Sequence, residues 1–253
     1  MKGENHFIIA GAQRAGTTML YKILDDHSDI LMAKPLKPEP KFFLKNEELS
    51  GGYQYYFNKY FKGKEGYMWY GEKSTSYIEK ENVPQTIKTI LPDARVIIIL
   101  RNPVYRAISN YYFTLQNKIE TRDIEDVFLN NTPAPSIDEE VSVSPFKYIE
   151  RGFYKKYLEN YFKYFNSNKV KIIILEKISL EVPDEIISLF SFLNISPYSN
   201  FNKFLSANIN SNLVNYKNPK IDLVKKRLEK IYKNSIEDLE DFLNIDLSVW
   251  KDR

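Results

Sequence analysis

Residues 6–18 read HFIIAGAQRAGTT, and this stretch decides the fold class of the chain. Its first half, His6 to Gly11, is a continuous apolar run that ends in glycine, which is typical of a strand buried on both faces of a parallel sheet. The periodic apolar residues of Thr17 to Asp25 then predict a helix. A strand that leads through a glycine-containing turn into a helix is the first unit of an α/β fold, so more strands and helices are expected to alternate downstream.

Two more apolar runs, Arg95 to Leu100 and Val170 to Leu175, predict further buried strands. Asn102 and Pro103 follow the first of them and are a favourable cap and first residue of a helix. We predict helices at 83–91, 103–116, 154–165, 185–193 and 223–242, and a surface loop at 130–144. Strands that alternate with helices imply crossover connections. The sequence therefore predicts one α/β domain over residues 1–253, with helices on both sides of a central parallel sheet.

The composition of the 253 residues excludes several kinds of chemistry. Lys and Arg number 36 against 33 Asp and Glu, a formal net charge of +3, which gives no support to a nucleic-acid partner or a polybasic membrane anchor. The chain has no cysteine and two histidines, which excludes thiolate catalysis and argues against a zinc site. No apolar stretch is long enough to span a bilayer, and residues 1–6 lack the apolar core of a signal peptide. We therefore expect a cytoplasmic protein with no metal and no membrane span.

The loop between the first strand and the first helix has the spacing of a phosphate-binding turn. Gly11 and Gly16 lie five residues apart, and amides before a helix N-terminus favour an anion. Thr17 stands where the phosphate loop of ATPases has its lysine, so Arg14 is the only cation of this loop. A single phosphate fits such a loop better than a triphosphate. The alternative is a glycine turn that binds nothing.

A second anion site is predicted after the second strand. Arg101 follows Leu100 at the carboxyl end of that strand, the edge where open α/β proteins bind ligands. Ser109 lies about two turns into the following helix. A surface ion pair and an ordinary helical serine are the alternatives for these two residues. If both bind an anion, the ligand carries two separated phosphates.

These motifs together resemble a known family, the sulfotransferases that use 3′-phosphoadenosine-5′-phosphosulfate (PAPS). Residues 11–18 look like the family's 5′-phosphosulfate loop, and residues 95–112 look like its 3′-phosphate motif. Further matching segments are 39–43 (EPKFF), 71–77 (GEKSTSY), 151–154 (RGFY) and 246–250 (DLSVW). The likeness is closest to the heparan-sulfate type, including the sulfotransferase part of N-deacetylase/N-sulfotransferases, and to bacterial relatives. It implies the phosphate-loop sulfotransferase fold over nearly the whole chain.

The resemblance also implies how PAPS is bound. Arg101 and Ser109 would hold the 3′-phosphate, and Thr17 and Thr18 would hold the 5′-phosphate together with loop amides. The implied cofactor-binding residues of the loop are Gln13, Arg14, Ala15, Gly16, Thr17 and Thr18. The family usually closes a Lys/Arg-Gly loop over the 3′-phosphate. Residues 206–220 lack that glycine and offer Tyr216 as a cofactor contact.

Three residues receive catalytic roles from the resemblance. Glu39 matches the general base of the family's Glu-x-x-Phe-Phe motif. Arg14 occupies the position of the loop's catalytic lysine, and a guanidinium can stabilise charge but is a poor proton donor. Lys73 matches a second lysine near the transferred group. From the residues alone, Glu39 reads as a solvated acid in a Lys- and Pro-rich loop.

The acceptor is less clearly indicated. Lys37, Lys41 and Lys45 would suit an anionic glycan, so we expect a carbohydrate hydroxyl, with an amine or a secondary-metabolite alcohol as alternatives. The aromatic stretch 53–61 could line an acceptor cleft, although a helix packed on the sheet is the simpler interpretation. A small-molecule kinase that uses ATP and Mg²⁺ is the rival enzyme class. A non-catalytic nucleotide-binding module is a third reading, and it would tolerate loss of Glu39. The oligomeric state is not indicated.

Overall fold

The computed structural model describes residues 5–136, 143–178, 184–205 and 219–251. Five strands of this part of the chain form one sheet in the order β2-β3-β1-β4-β5, and every neighbouring pair is parallel. The strands are β1 (His6–Gly11), β2 (Ile30–Met32), β3 (Trp69–Lys73), β4 (Arg95–Leu100) and β5 (Val170–Ile174). The predicted α/β fold with a central parallel sheet is confirmed.

Helices flank the sheet, and their bounds agree with the sequence predictions to within a few residues. The main helices are α1 (Thr17–Asp25), α2 (Asn46–Leu49), α3 (Gly52–Tyr60), α4 (Val83–Ile90), α5 (Pro103–Gln116), α6 (Ile124–Phe128), α7 (Tyr154–Phe162), α8 (Asp184–Leu193) and α9 (Pro219–Leu243). The Asn102 side chain caps α5 as predicted, accepting a hydrogen bond from the Val104 amide at 2.9 Å. The described parts of the predicted loop, 130–136 and 143–144, contain no helix or strand.

The strand register brings three loops to one edge of the sheet. Ile8 of β1 pairs with Glu72 of β3 on one side and with Val96 of β4 on the other. The segments that leave these strands are 12–16, 74–76 and 101–102. Because parallel strands end at the same edge, the residues of these segments are brought close together there.

The aromatic stretch 53–61 forms most of α3, which packs on the sheet. Tyr56, Phe57 and Phe61 are buried against His6 of β1 and Tyr70 of β3, with ring centroids 5.2–6.3 Å apart. The packing interpretation of this stretch therefore describes the structure. The His6 ring is 3% exposed, and its burial lowers the pKa to about 4.

Candidate active site

The loop after β1 is shaped by one glycine. Gly16 caps α1 with φ at +92°, and a Cβ there would lie 2.9 Å from Cδ1 of Leu175. The positive φ therefore favours glycine at this position, and the Leu175 side chain packs against the space that a larger residue would enter. The Ala12 amide donates to the Ile99 carbonyl at 2.8 Å and ties the loop to β4. Ala15 is fully buried, so its side chain faces the core while its backbone remains part of the loop.

A cavity of about 470 Å³ opens at this edge of the sheet. The described residues that line it are Gln13, Arg14, Gly16, Thr17, Thr18, Met19, Lys22, Lys37, Glu39, Lys73, Thr75, Arg101, Phe113, Leu175 and Phe204. Five of these side chains are cationic and one, Glu39, is a carboxylate. A cavity with this surplus of positive charge favours a ligand that carries several negative charges.

Glu39 and Lys73 form an ion pair at one end of the cavity. The Lys73 ammonium donates to Oε1 of Glu39, and the two side chains are 4% and 16% exposed respectively. Thr75 completes the contact, because its amide donates to Oε2 of Glu39 at 2.8 Å and its hydroxyl lies 3.0 Å from the same atom. These contacts fix the carboxylate beside a buried positive charge, with one face left toward the cavity. Phe42 and Phe43 just downstream are fully buried and anchor the loop that carries Glu39.

Arg101 also lines the cavity, and Ser109 contacts its lining through Arg14; we refer to these residues as the other end of the cavity. Arg101 is 9% exposed, and its Nη1 donates to the Arg14 carbonyl at 3.2 Å. The Ser109 hydroxyl accepts a hydrogen bond from Nε of Arg14 at 3.2 Å. The Arg14 guanidinium also lies 4.7 Å from the centroid of the Phe113 ring. The predicted catalytic Arg14 is therefore on the Ser109 side of the cavity.

Three hydrogen bonds hold the segments around Arg101 in place. The Asn102 amide donates to Oε1 of Glu176 at 2.9 Å, and the Trp250 indole donates to Oε2 of the same carboxylate at 2.7 Å. The Asn102 side-chain amide donates to the Trp250 carbonyl at 2.9 Å. The closing segment 246–250 thus supports the ends of β4 and β5.

Gln13 links the loop to a second buried ion pair. Its side-chain amide donates to Oε1 of Glu79 at 3.3 Å, and Nε of Arg151 donates to the same oxygen at 2.7 Å. The Arg151 and Glu79 side chains are 3% and 6% exposed. Arg151, from the segment 151–154 singled out in the sequence, therefore supports the loop through the shared contact of Glu79 with Gln13.

The structure gathers most of the predicted site residues into one place. Gln13, Arg14, Gly16, Thr17, Thr18, Glu39, Lys73 and Arg101 line the cavity. Ser109 reaches it through Arg14, and Tyr216 lies outside the described residues. Of the lysines expected near the acceptor, Lys37 lines the cavity. Lys41 and Lys45 are not among the lining residues, and Nζ of Lys45 lies 3.5 Å from Oε1 of Glu48.

Sequence reasoning assigned no role to several lining residues. Thr75 lies inside the quoted segment 71–77, two residues after Lys73, and that adjacency was the available signal. Lys22 and Phe113 also line the cavity; they follow the phosphate loop and Ser109 by one helical turn but belong to no quoted motif. Leu175 and Phe204 come from parts of the chain far from both.

A family model shows to which protein family the chain belongs. The family model described as sulfotransferase domain matches residues 4–248. The chain belongs to this sulfotransferase family. The match covers the whole sheet and every described residue of the cavity, so the predicted family resemblance is confirmed.

Curated relatives of this sulfotransferase chain include heparan sulfate enzymes. Heparan sulfate glucosamine 3-O-sulfotransferase 3A1 of Mus musculus is 28% identical over 188 residues, which cover 74% of this chain and 45% of the relative. Bifunctional heparan sulfate N-deacetylase/N-sulfotransferase 4 of Mus musculus is 25% identical over 215 residues, which cover 79% of this chain and 23% of the relative. The chain thus spans less than half the length of these two relatives.

Solved structures share the fold. The sulfotransferase from Alicyclobacillus acidocaldarius superposes with a TM-score of 0.75 at 22% identity, covering 99% of this chain and 100% of that chain. The sulfotransferase domain from the curacin biosynthetic pathway gives a TM-score of 0.52 at 14% identity, covering 98% and 99%. These likenesses concern the fold.

The described residues lack two further features. No helix there is long and apolar enough to cross a membrane. No group of three or more His, Asp or Glu side chains in this part of the chain could hold a metal ion.

Proposed function

We propose that this chain is a PAPS-dependent sulfotransferase that transfers a sulfuryl group to a hydroxyl of a carbohydrate. The observation that carries the proposal is the contact of Glu39 with Lys73 and Thr75 in the same cavity as the phosphate loop and Arg101. A proton acceptor and a cation at one end, with anion-binding groups at the other, are the parts that transfer between a nucleotide and an acceptor requires.

The residues of the cavity fit PAPS. Amides of the Gly16 turn and the hydroxyls of Thr17 and Thr18 would hold the 5′-phosphate, at the N-terminus of α1. Arg101 and Ser109 would hold the 3′-phosphate, and the cationic surplus of the lining suits a ligand with this much negative charge. Bound there, PAPS supplies the activated sulfuryl group. Tyr216 stays a predicted contact.

Glu39 and Lys73 carry the proposed chemistry. Glu39 takes the proton of the acceptor hydroxyl while that oxygen forms its bond to sulfur. Lys73 places positive charge at the bridging oxygen of the 5′-phosphate, whose bond to sulfur breaks. The products are the sulfate ester, adenosine 3′,5′-bisphosphate (PAP) and one proton on Glu39, so atoms and charges balance. Arg14, which contacts Ser109, stabilises charge on the nucleotide side.

The acceptor assignment draws on the relatives and on two lysines. The curated relatives are named for heparan sulfate, which supports a carbohydrate. Lys22 and Lys37 are exposed residues that line the cavity and would attract an anionic glycan. We propose a hydroxyl as the nucleophile, and an amine is the alternative that the N-sulfotransferase relative supports. The cytoplasmic location stays a prediction.

The nucleotide is tested by thermal shift. PAP and PAPS should raise the melting temperature by several degrees at saturating concentration, and ATP with Mg²⁺ should raise it much less. Transfer is then measured with ³⁵S-labelled PAPS and N-acetylated, N-sulfated and unsubstituted heparan-type glycans in the presence of EDTA. Labelled glycan supports the proposal. A larger shift with ATP and Mg²⁺ than with PAP would favour the kinase reading instead.

A further inference from the structure

A buried carboxylate lies directly behind the Glu39–Lys73 pair. Glu72 is the residue before Lys73 on β3, and successive side chains of a strand point to opposite faces. Lys73 therefore faces the cavity while Glu72 faces away from it, fully buried. No Lys or Arg of the described residues forms an ion pair with Glu72, and its Oε2 has no hydrogen-bond partner there. Burial raises the pKa of Glu72 to about 7.

Two hydroxyls connect Glu72 to the loop that carries Glu39. The Ser74 hydroxyl donates to Oε1 of Glu72 at 2.8 Å and accepts from the Lys41 amide at 2.8 Å. The Tyr77 hydroxyl donates to the same oxygen and accepts from the Phe43 amide at 3.1 Å. Each hydroxyl has one proton, so an acceptor at Glu72 fixes that proton and turns the oxygen lone pairs toward the two amides.

We propose that Glu72 is a positioning residue, which holds the Glu39 loop against the end of β3 through Ser74 and Tyr77. The two amides belong to residues two and four positions after Glu39. Ser74 lies between Lys73 and Thr75, the residues that contact the Glu39 carboxylate. One buried oxygen thus sets the separation between the proposed base and the proposed cation. This inference rests on the proposed function for its kinetic consequence and not for its structural one.

Buried carboxylates are costly unless hydrogen-bonded, and Glu72 has no cationic partner among the described residues to offset that cost. A leucine would fill much of the same space without the cost, but it would leave the two hydroxyls without an acceptor. A glutamine would keep an acceptor oxygen at the same place. These two substitutions therefore separate positioning from simple filling of the core.

The kinetic test compares Glu72→Leu with Glu72→Gln. We expect Glu72→Leu to lower kcat about tenfold, because small displacements of a catalytic group are costly, while the Kd for PAP and the melting temperature change little. Glu72→Gln should stay within about threefold of wild type. In a Glu39→Gln background, Glu72→Leu should have almost no further effect on kcat. Equal losses in both backgrounds, or a parallel loss of PAP affinity, would overturn the proposal.

Hydrogen exchange supplies a readout that needs no activity. Exchange of the amides in residues 41–45 should accelerate about tenfold in Glu72→Leu and remain unchanged in Glu72→Gln. If Glu72→Leu does not fold, the double variant Ser74→Ala/Tyr77→Phe takes its place in the test. It removes the two connecting hydroxyls and should show the same acceleration. Unchanged exchange in the variants that fold would refute the positioning role. A wild type that sulfates no acceptor, but shows the expected exchange, would refute the proposed function alone.

Discussion

The two ends of the cavity are held by different kinds of contact. At one end, Glu39 is held by the Lys73 ammonium and by the hydroxyl and amide of Thr75. At the other end, hydrogen bonds that involve backbone carbonyls hold Arg101. The Arg101 side chain donates to the Arg14 carbonyl, and the Arg101 carbonyl accepts from Tyr154 at 2.7 Å. Contacts among titratable side chains suit proton transfer and charge stabilisation, whereas a cation fixed by backbone suits a bound phosphate. We therefore expect changes at the first end to act on rate and changes at the second to act on affinity.

Removal of the proposed base should have the largest effect. Glu39→Gln keeps the size of the side chain and its contact with Thr75, but glutamine cannot take the acceptor proton. We expect kcat to fall about 10³-fold, with PAP affinity unchanged. Steady-state kinetics and calorimetry measure the two quantities. Glu47→Gln, an exposed acid in the following helix α2, is the matched control and should behave as wild type. A Glu39→Gln enzyme with more than about a tenth of the wild-type kcat would show that Glu39 is not the base.

Loss of the buried ammonium should come next. Lys73→Ala removes the positive charge that we propose lies beside the breaking bond, while Thr75 still holds Glu39, so kcat should fall about 10²-fold. The KM for PAPS should change much less, since the nucleotide phosphates are assigned to other residues. Lys62→Ala, in the exposed segment before β3, is the control. If instead the KM for PAPS rises while kcat is retained, Lys73 acts in nucleotide binding. The division into an end that sets rate and an end that sets affinity would then be wrong.

The opposite signature is expected at the other end. Arg101→Ala should raise the Kd for PAP about 30-fold, because the proposed charged hydrogen bond to the 3′-phosphate would be lost. Adenosine 5′-monophosphate lacks that phosphate, so its affinity should be nearly the same in the variant and in wild type. Titration calorimetry with both nucleotides gives the answer, with exposed Arg227→Ala of α9 as control. An equal loss for both nucleotides would mean that Arg101 acts by supporting the loop through Arg14.

The support behind the first end should appear in the pH dependence of stability. The pKa of Glu72 is raised to about 7 by burial, so the folded chain keeps a proton that the unfolded chain has already lost near the ordinary carboxyl pKa. The contribution of Glu72 to stability therefore falls as the pH rises from 5.5 to 7.5. The fall is roughly 1–2 kcal/mol.

Urea denaturation of wild type and Glu72→Gln at the two pH values isolates this contribution. The buried His6, whose pKa is lowered to about 4, titrates with the opposite sign but is common to both proteins and cancels. Parallel pH profiles of the unfolding free energy for the two proteins would show that Glu72 does not titrate between pH 5.5 and 7.5 in the folded chain.

The sequence predicted the fold where a strand is apolar throughout. β1, β4 and β5 read HFIIAG, RVIIIL and VKIII, and these mostly apolar runs identified them together with their helices. β3 reads WYGEK, with a glycine and two charged residues, and β2 has three residues. Neither matches a strand pattern. Their place in the sheet comes from tertiary contacts, such as the approach of Phe7 and Met32 to Gly71, where a Cβ would lie 2.3–2.4 Å from their atoms.

The sequence predicted the site residues that lie in short local motifs, but not the contacts between residues that are far apart in the chain. The loop 11–18, Arg101 and Glu39 follow from short segments, and the structure brings them to one cavity. The side of the cavity on which Arg14 lies depends on Ser109 and Phe113, which are about 95 and 99 residues away in sequence. A local sequence pattern cannot indicate a contact between residues separated by so many positions. The roles of these residues in PAPS binding and catalysis remain predictions for the experiments above.

The hydrogen bond from Asn102 to Trp250 joins residues 148 positions apart. During synthesis, the ribosome releases the sheet and the phosphate loop long before it releases the tryptophan that braces the start of α5. Until then the nascent chain has the five strands but lacks the Trp250 hydrogen bonds at the carboxyl ends of β4 and β5. Since domain folding is fast relative to an elongation rate of about 5–20 residues per second, the loop edge of the sheet should be the part of the domain that matures last, once residue 250 has left the ribosome.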